Sequence, residues 1–149
     1  MDKKILAFIF ISVALIFTAS IFLNKKDASL HKEIIIGNVA VKVDIAASPA
    51  EKQKGLSGRN FMRKNSGMLF VFSQPDLYPF WMKDMKFPID IIWLDENLRI
   101  INIEKNITPG SFPKKFTPQL PAKYALEVNN GWSDKNKIKE GMAALILNK

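Results

Sequence analysis

The sequence predicts a mainly β domain, a small, partly open antiparallel β-barrel or curled sheet with one short helix, preceded by one transmembrane helix. Short apolar or β-branched runs recur from residue 34 to residue 147, separated by proline and turn residues. Only one stretch among them carries a full set of helix-start signals. Ahead of all of them lies a long run without a single charge.

That run is Ile5 to Leu23, nineteen residues broken in polarity only by Ser12, Thr18 and Ser20. At ~1.5 Å per residue it approaches the ~30 Å of a hydrocarbon core. Asp2-Lys3-Lys4 precede it and Asn24-Lys25-Lys26-Asp27 follow. The small residues Thr18-Ala19-Ser20 resemble a cleavage boundary, but Ile21-Phe22-Leu23 carries the apolar run past them, which favours an uncleaved signal-anchor over residues 1–24. A short head stays inside while a long following domain is translocated largely regardless of its charge. The expected location is the cell membrane, single-pass, with the C-terminal domain extracytoplasmic and membrane lipid the partner of residues 5–23. Residues 25–33 form a tether whose reach, roughly 5–6 Å × √n, is under about 20 Å. Residues 34–149 form the β domain.

Within that domain, Ile34-Ile35-Ile36 and Val39 to Ala46 flank Gly37-Asn38, a two-residue connection that closes a hairpin. Val39, Val41, Val43 and Ile45 alternate with Ala40, Lys42 and Asp44, giving one apolar face. Ser48-Pro49-Ala50-Glu51 supplies a cap, a proline at the first helical position and a glutamate three after the cap. A short helix starts there and ends near Gly55-Leu56. Met68 to Phe72, Phe80 to Lys83, Ile89 to Leu94 and Leu98 to Ile107 read as strands. Pro75, Pro79, Pro88 and the Asp95-Glu96-Asn97 turn separate them. Thr108 to Pro121 holds four prolines and Gly110, so it reads as an irregular crossing. Tyr124 to Val128 and Met142 to Leu147 read as closing strands, with Asn129-Asn130-Gly131 a turn and Ser133-Asp134 a cap for one helical turn.

Composition narrows the chemistry. The chain has no cysteine, which excludes disulfides, thiolate metal sites and a thiol nucleophile together. A formal net charge of +8 favours anionic surroundings without naming a ligand.

Five separated motifs are more specific: Gly55-Leu56-Ser57-Gly58-Arg59, Gly67-Met68-Leu69-Phe70-Val71-Phe72, Phe80-Trp81-Met82-Lys83, Pro88-Ile89-Asp90-Ile91-Ile92 and Ala122-Lys123-Tyr124-Ala125-Leu126-Glu127. In this order and spacing the chain resembles the DUF192 family, also called UPF0127, over nearly all of residues 34–147. The resemblance implies a compact, partly open β-barrel-like domain that often follows an export signal, and no established reaction. This chain has Asp84 and Met85 where family members commonly carry asparagine and threonine, and Met142 where they carry an acidic residue.

Among polar residues, Asp90 is the most informative. Pro88, Asp90, Ile92 and Leu94 share one strand face and Ile89, Ile91 and Trp93 the other, and neither face looks wet. A carboxylate so placed needs a partner, with Lys83 and Arg59 the natural ones, or backbone N–H groups at a strand end. The plainer reading is a structural fixture, and the sharper one is ligand binding or catalysis. Glu127 alternates out of phase with Leu126 and Val128. With Asp90 it suggests a paired-carboxylate hydrolase acting on a glycan or cell-wall component. The sole histidine, His31, lies in the tether, so a serine–histidine triad is not expected.

Trp81 and Met82 with Met62, Met68 and Met85 raise a Cu(I) site, but methionines among phenylalanines are usually core filler, and no metal or cofactor is expected. Phe80 and Trp81 beside Lys83 suit an aromatic platform for a sugar or peptide. Arg59, Arg63, Lys64, Lys114 and Lys115 suit an anionic envelope polymer or head group. No nucleic-acid motif accompanies the charge, so nucleic acid is not an expected partner. The sequence therefore predicts a binding or envelope-associated module, with Arg59, Trp81, Lys83, Asp90 and Glu127 as candidate ligand-binding residues around one polar cleft.

Overall fold

The computed structural model describes residues 32–147. The expected anchor at 5–23 and most of the tether lie outside these residues. Among the described residues no helix is long and apolar enough to cross a membrane.

Seven strands form one sheet: β1 (Lys32–Ile36), β2 (Val39–Ala46), β3 (Ser66–Asp76), β4 (Ile89–Leu94), β5 (Ile100–Ile107), β6 (Ala122–Asn129) and β7 (Ala144–Leu147). Their order is β5-β4-β6-β3-β2-β1-β7. Every pairing is antiparallel except β2 with β3, which run parallel from Lys42↔Ser66 to Ala46↔Phe70. A parallel pair cannot be joined by a tight turn, and here residues 47–65 make the crossover, carrying helix α1 (Pro49–Lys54). The two edges of the sheet meet: Arg99 bridges Ala143, and Ile100 N–H donates to Met142 O at 2.9 Å. The sheet is therefore curled into a half-barrel rather than left flat.

The local chemistry acts much as the sequence predicts. Gly37, at φ 59°, turns β1 into β2. Ser48 and Glu51 form a full capping box on α1, with Pro49 inside the first turn. Four expectations need correction. Phe80 to Lys83 is no strand: Phe80 makes a single bridge to Phe116, and Asp84, at φ 55°, turns the chain away directly afterwards. The ladder after the Asp95-Glu96-Asn97 turn begins at Ile100, because Leu98 sits at φ 59° and cannot extend it. The tether ends sooner than expected, since Lys32 and Glu33 already pair in β1. Helix α2 (Trp132–Lys135) takes Gly131, not Ser133, as its N-cap residue.

The sheet carries a core on each face, although the outward residues of β1, β7 and most of β2 are exposed or half-buried and join neither. The first joins Ile34, Ile36, Val41, Val43, Leu69 and Ile92 with Leu94, Ile100, Leu126, Val128 and Trp132. Because it links strands from both ends of the sheet order, it fills the inside of the curl. The second gathers Leu56, Met68, Phe70, Phe72 and Met82 with Ile89, Ile91, Trp93 and Phe116 on the outer face. It is covered by the stretch after α1, by residues 77–88 and by the irregular crossing. Backbone bonds in both directions between Phe80 and Phe116, each 2.8 Å, hold these two covering segments together.

Candidate functional site

Asp90 and Glu127 face opposite sides of the sheet. In the β4–β6 register Asp90 lies across from Val128, while Glu127 lies across from Ile91. Val128 belongs to the inner core and Ile91 to the outer one. Side chains alternate strictly along strands, so the two carboxyls cannot flank one bond in a substrate. This overturns the paired-carboxylate hydrolase.

Asp90 is fully buried and is satisfied by backbone N–H groups. Its Oδ1 accepts from Asn106 at 3.1 Å and Gly131 at 3.2 Å, and its Oδ2 accepts from Ser133 at 3.0 Å. The expected partners are engaged elsewhere. Arg59 pairs with Asp44 at 2.8 Å, and the Lys83 side chain is exposed while its carbonyl accepts from the Ser57 hydroxyl at 2.9 Å. Asp90 thus fastens the start of β4 to the end of β5 and to the first turn of α2, which is the structural reading of this residue.

Glu127 is in the contrary situation. It is 5% exposed, and its Oε2 has no hydrogen-bond partner among the described residues. Burial pushes its carboxyl up to about 8, partly offset by the charge of Arg59. The group lines a cavity of about 320 Å³ together with Phe70, Phe72, Tyr78, Phe80 and Trp81. The rings brace one another. Tyr78 stacks on Phe72 with centroids 3.6 Å apart, and Phe80 stands edge-on to Phe70 at 4.9 Å and to Trp93 at 5.8 Å. Trp81, 45% exposed, forms part of the mouth, with the Lys115 ammonium 5.7 Å from its ring. Lys52 lies 5.1 Å from the Phe72 ring and donates to Val71 O.

Two of the five predicted residues, Trp81 and Glu127, therefore share a cavity. Arg59 acts on it through its charge, whereas Lys83 and Asp90 do not line it. Arg59 instead borders a larger groove of about 770 Å³ with Lys42, Asp44, Phe61, Arg63 and Lys64. That groove is lined by side chains of both charges, whereas the smaller cavity is walled by rings and bordered by Glu127 with its buried, unpartnered oxygen, so the smaller one is the better candidate for a ligand site. Sequence reasoning missed Phe70, Phe72 and Tyr78 as lining. The available signal was the density of rings from Phe70 to Trp81. The methionines considered for Cu(I) are absorbed by the outer core, with Met68 and Met82 buried in it and Met62 and Met85 packed against it.

A model of the DUF192 family, described as an uncharacterised group, matches residues 32–146. No curated protein matches the chain. Two solved structures are similar to it. A protein of unknown function from Novosphingobium aromaticivorans is 28% identical, with a TM-score of 0.73 over 76% of this chain and 83% of that one. A protein from Sinorhizobium meliloti, provisionally described as a transcription regulator, is 25% identical, with a TM-score of 0.74 over 80% of this chain and 97% of that one.

Proposed function

The chain belongs to the DUF192 family, and from that premise we propose that it is a membrane-anchored binding module whose ligand enters the outer-face cavity ending on Glu127. One observation carries the reading: a carboxyl oxygen sealed from solvent and without a partner, at the wall of an aromatic-lined cavity. Leaving a buried polar group unpaired costs roughly 1–3 kcal/mol. A fold tolerates that cost where a ligand supplies the missing partner. Ring faces for an apolar body and one polar anchor for orientation are the usual composition of a small-molecule site. The aromatic wall replaces the Trp81–Lys83 platform expected from sequence and retains its sugar or peptide candidates.

The proposal keeps residues 5–23 in lipid and the β domain extracytoplasmic, supported by the length of that uncharged run. The groove bearing Lys42, Arg59, Arg63 and Lys64 then offers cations to an anionic envelope polymer or head group. Two experiments test these parts. In a thermal-shift panel of sugars, peptides and amines on the full chain in uncharged detergent, at least one compound raises the Tm of the wild type but not of Glu127→Ala. In whole cells, added protease digests the C-terminal portion before the cells are opened; protection there would refute the location.

A further inference from the structure

The polar inventory of the Glu127 cavity narrows the ligand class. Among the side chains that line it, the Tyr78 hydroxyl already donates to Gln74 O at 3.0 Å, and the Ser57 hydroxyl donates to Lys83 O at 2.9 Å. Gln53 and Lys54 stand on the exposed side of α1, at the rim. Glu127 is the one acidic residue that borders the cavity, its Oε2 is buried without a partner, and the rings of Phe70, Phe72, Tyr78, Phe80 and Trp81 line the same space. A sugar brings several hydroxyls and would leave most of them dry and unpaired. An anion would need a cation, and the Lys52 ammonium at the cavity already donates to Val71 O while Lys54 stands on the exposed side. A group with one positive charge and an apolar stem fits both features, because ring faces attract cations and a lone carboxylate needs a charged donor. These rings already sit beside cations: the ammonium of Lys52 is 5.1 Å from Phe72 and that of Lys115 is 5.7 Å from Trp81.

Resting on the binding reading above, we infer that the cavity takes a primary alkylammonium group, ion-paired with Glu127 and enclosed by the aromatic wall. A primary ammonium is preferred to a quaternary one because only an N–H satisfies the orphaned oxygen. A free alkylamine and a peptide's lysine side chain share this chemistry.

Binding has a protonic signature. With its carboxyl pushed up to about 8, Glu127 is mostly protonated at pH 7. Pairing with an ammonium ionises it, and the carboxyl proton leaves to solvent while the ligand keeps its own. Affinity therefore rises with pH, by about fiftyfold between pH 6 and pH 8 for a group titrating near that value, and levels off above it.

The test is calorimetry on the full chain in uncharged detergent, with n-butylammonium, n-butanol, glucose and a blocked Gly-Lys-Gly tripeptide, in buffers of different ionisation enthalpy. Butylammonium should bind at least tenfold tighter than butanol and release nearly one proton at pH 7. Glu127→Gln, which keeps the side chain's size, should abolish both effects while its Tm at pH 8 stays at or above that of the wild type. Tighter binding of the tripeptide than of butylammonium assigns the source to a protein lysine; weaker binding assigns it to a free amine. Equal binding of butanol, or no proton release, overturns the inference. Glucose binding that Glu127→Gln removes would overturn the ammonium but keep the cavity as a ligand site, and failure of every probe would overturn both.

Discussion

Replacing Asp90 isolates what a buried carboxylate contributes when its partners are all backbone. Asp90→Ala withdraws the acceptors of three N–H groups, at 3.0, 3.1 and 3.2 Å. Ser133 is fully buried, so its N–H stays dry, at a cost of about 1–3 kcal/mol. Asn106 is exposed and Gly131 partly so; their N–H groups regain water and lose only the net value of a bond, about 0.5–1.5 kcal/mol each. The sum is about 2–6 kcal/mol, a large share of the stability of a domain this size. Asp90→Asn should cost nearly as much, about 2–4 kcal/mol. Whichever way the amide turns, its NH2 faces a donor, since Oδ1 serves two N–H groups and Oδ2 the third. Urea melts followed by tryptophan fluorescence suit the question, because Trp132 lies beside the site in the inner core. The reasoning is refuted if Asp90→Asn melts within about 0.5 kcal/mol of the wild type, or if Lys83→Met, a change at an exposed side chain away from Asp90, is as damaging.

Other consequences can be checked on the same melts. Glu127 is held protonated in the fold but ionises near its ordinary value when unfolded. Below about pH 4.5 no pH-dependent penalty arises, stability falls as pH rises from there to about 8, and the loss then levels off at about 5 kcal/mol. Glu127→Gln should flatten that decline, and a wild-type stability that rises across this window would exclude it. Gly67→Ala places a Cβ 2.6 Å from the carbonyl oxygen of Glu127, a backbone atom that cannot swing aside. It should lower stability by at least about 1–3 kcal/mol by thermal melting. Ser48→Ala removes the side chain that caps α1 and should cost about 1 kcal/mol, with the loss read from the same melts.

Period-2 alternation and turn chemistry are enough to read most of the strands, because β1, β2 and β7 set one face in the inner core, β3, β4 and β6 set a face in each core, and a shift by one residue would exchange the faces. The capping box was legible for the same reason: all its parts lie within four residues, from Ser48 to Glu51. What escaped was non-local. Phe80 to Lys83 looks like a strand because it is apolar, yet its neighbours in space are decided by Phe116, far along the chain. The parallel β2–β3 pair depends on how a nineteen-residue connection is laid across the sheet. The apolar neighbours of Asp90 show that it must be satisfied, but sequence offers no way to see backbone N–H groups from Gly131 and Ser133 arriving at it. Glu127 is legible only as out of phase with its neighbours; that its Oε2 lacks a partner depends on which segments pack over the outer face.

The contrast between the two carboxyls is the strongest reason to look for a ligand on the outer face. They lie on adjacent, paired strands and are buried to nearly the same degree. On the inner face the fold delivers three N–H groups to Asp90 from two elements outside β4. On the outer face it delivers none to the Oε2 of Glu127, although α1, the 77–88 segment and the crossing all pack nearby. A leucine or methionine at position 127 would fill that face without the cost of dehydrating an acid, so packing alone gives no reason for glutamate there. The charge that acts on it, Arg59, is in turn paired with Asp44, which leaves the carboxyl only a partial counter-charge. That condition, beside a cavity that Trp81 also lines, is what the proposed ammonium would relieve.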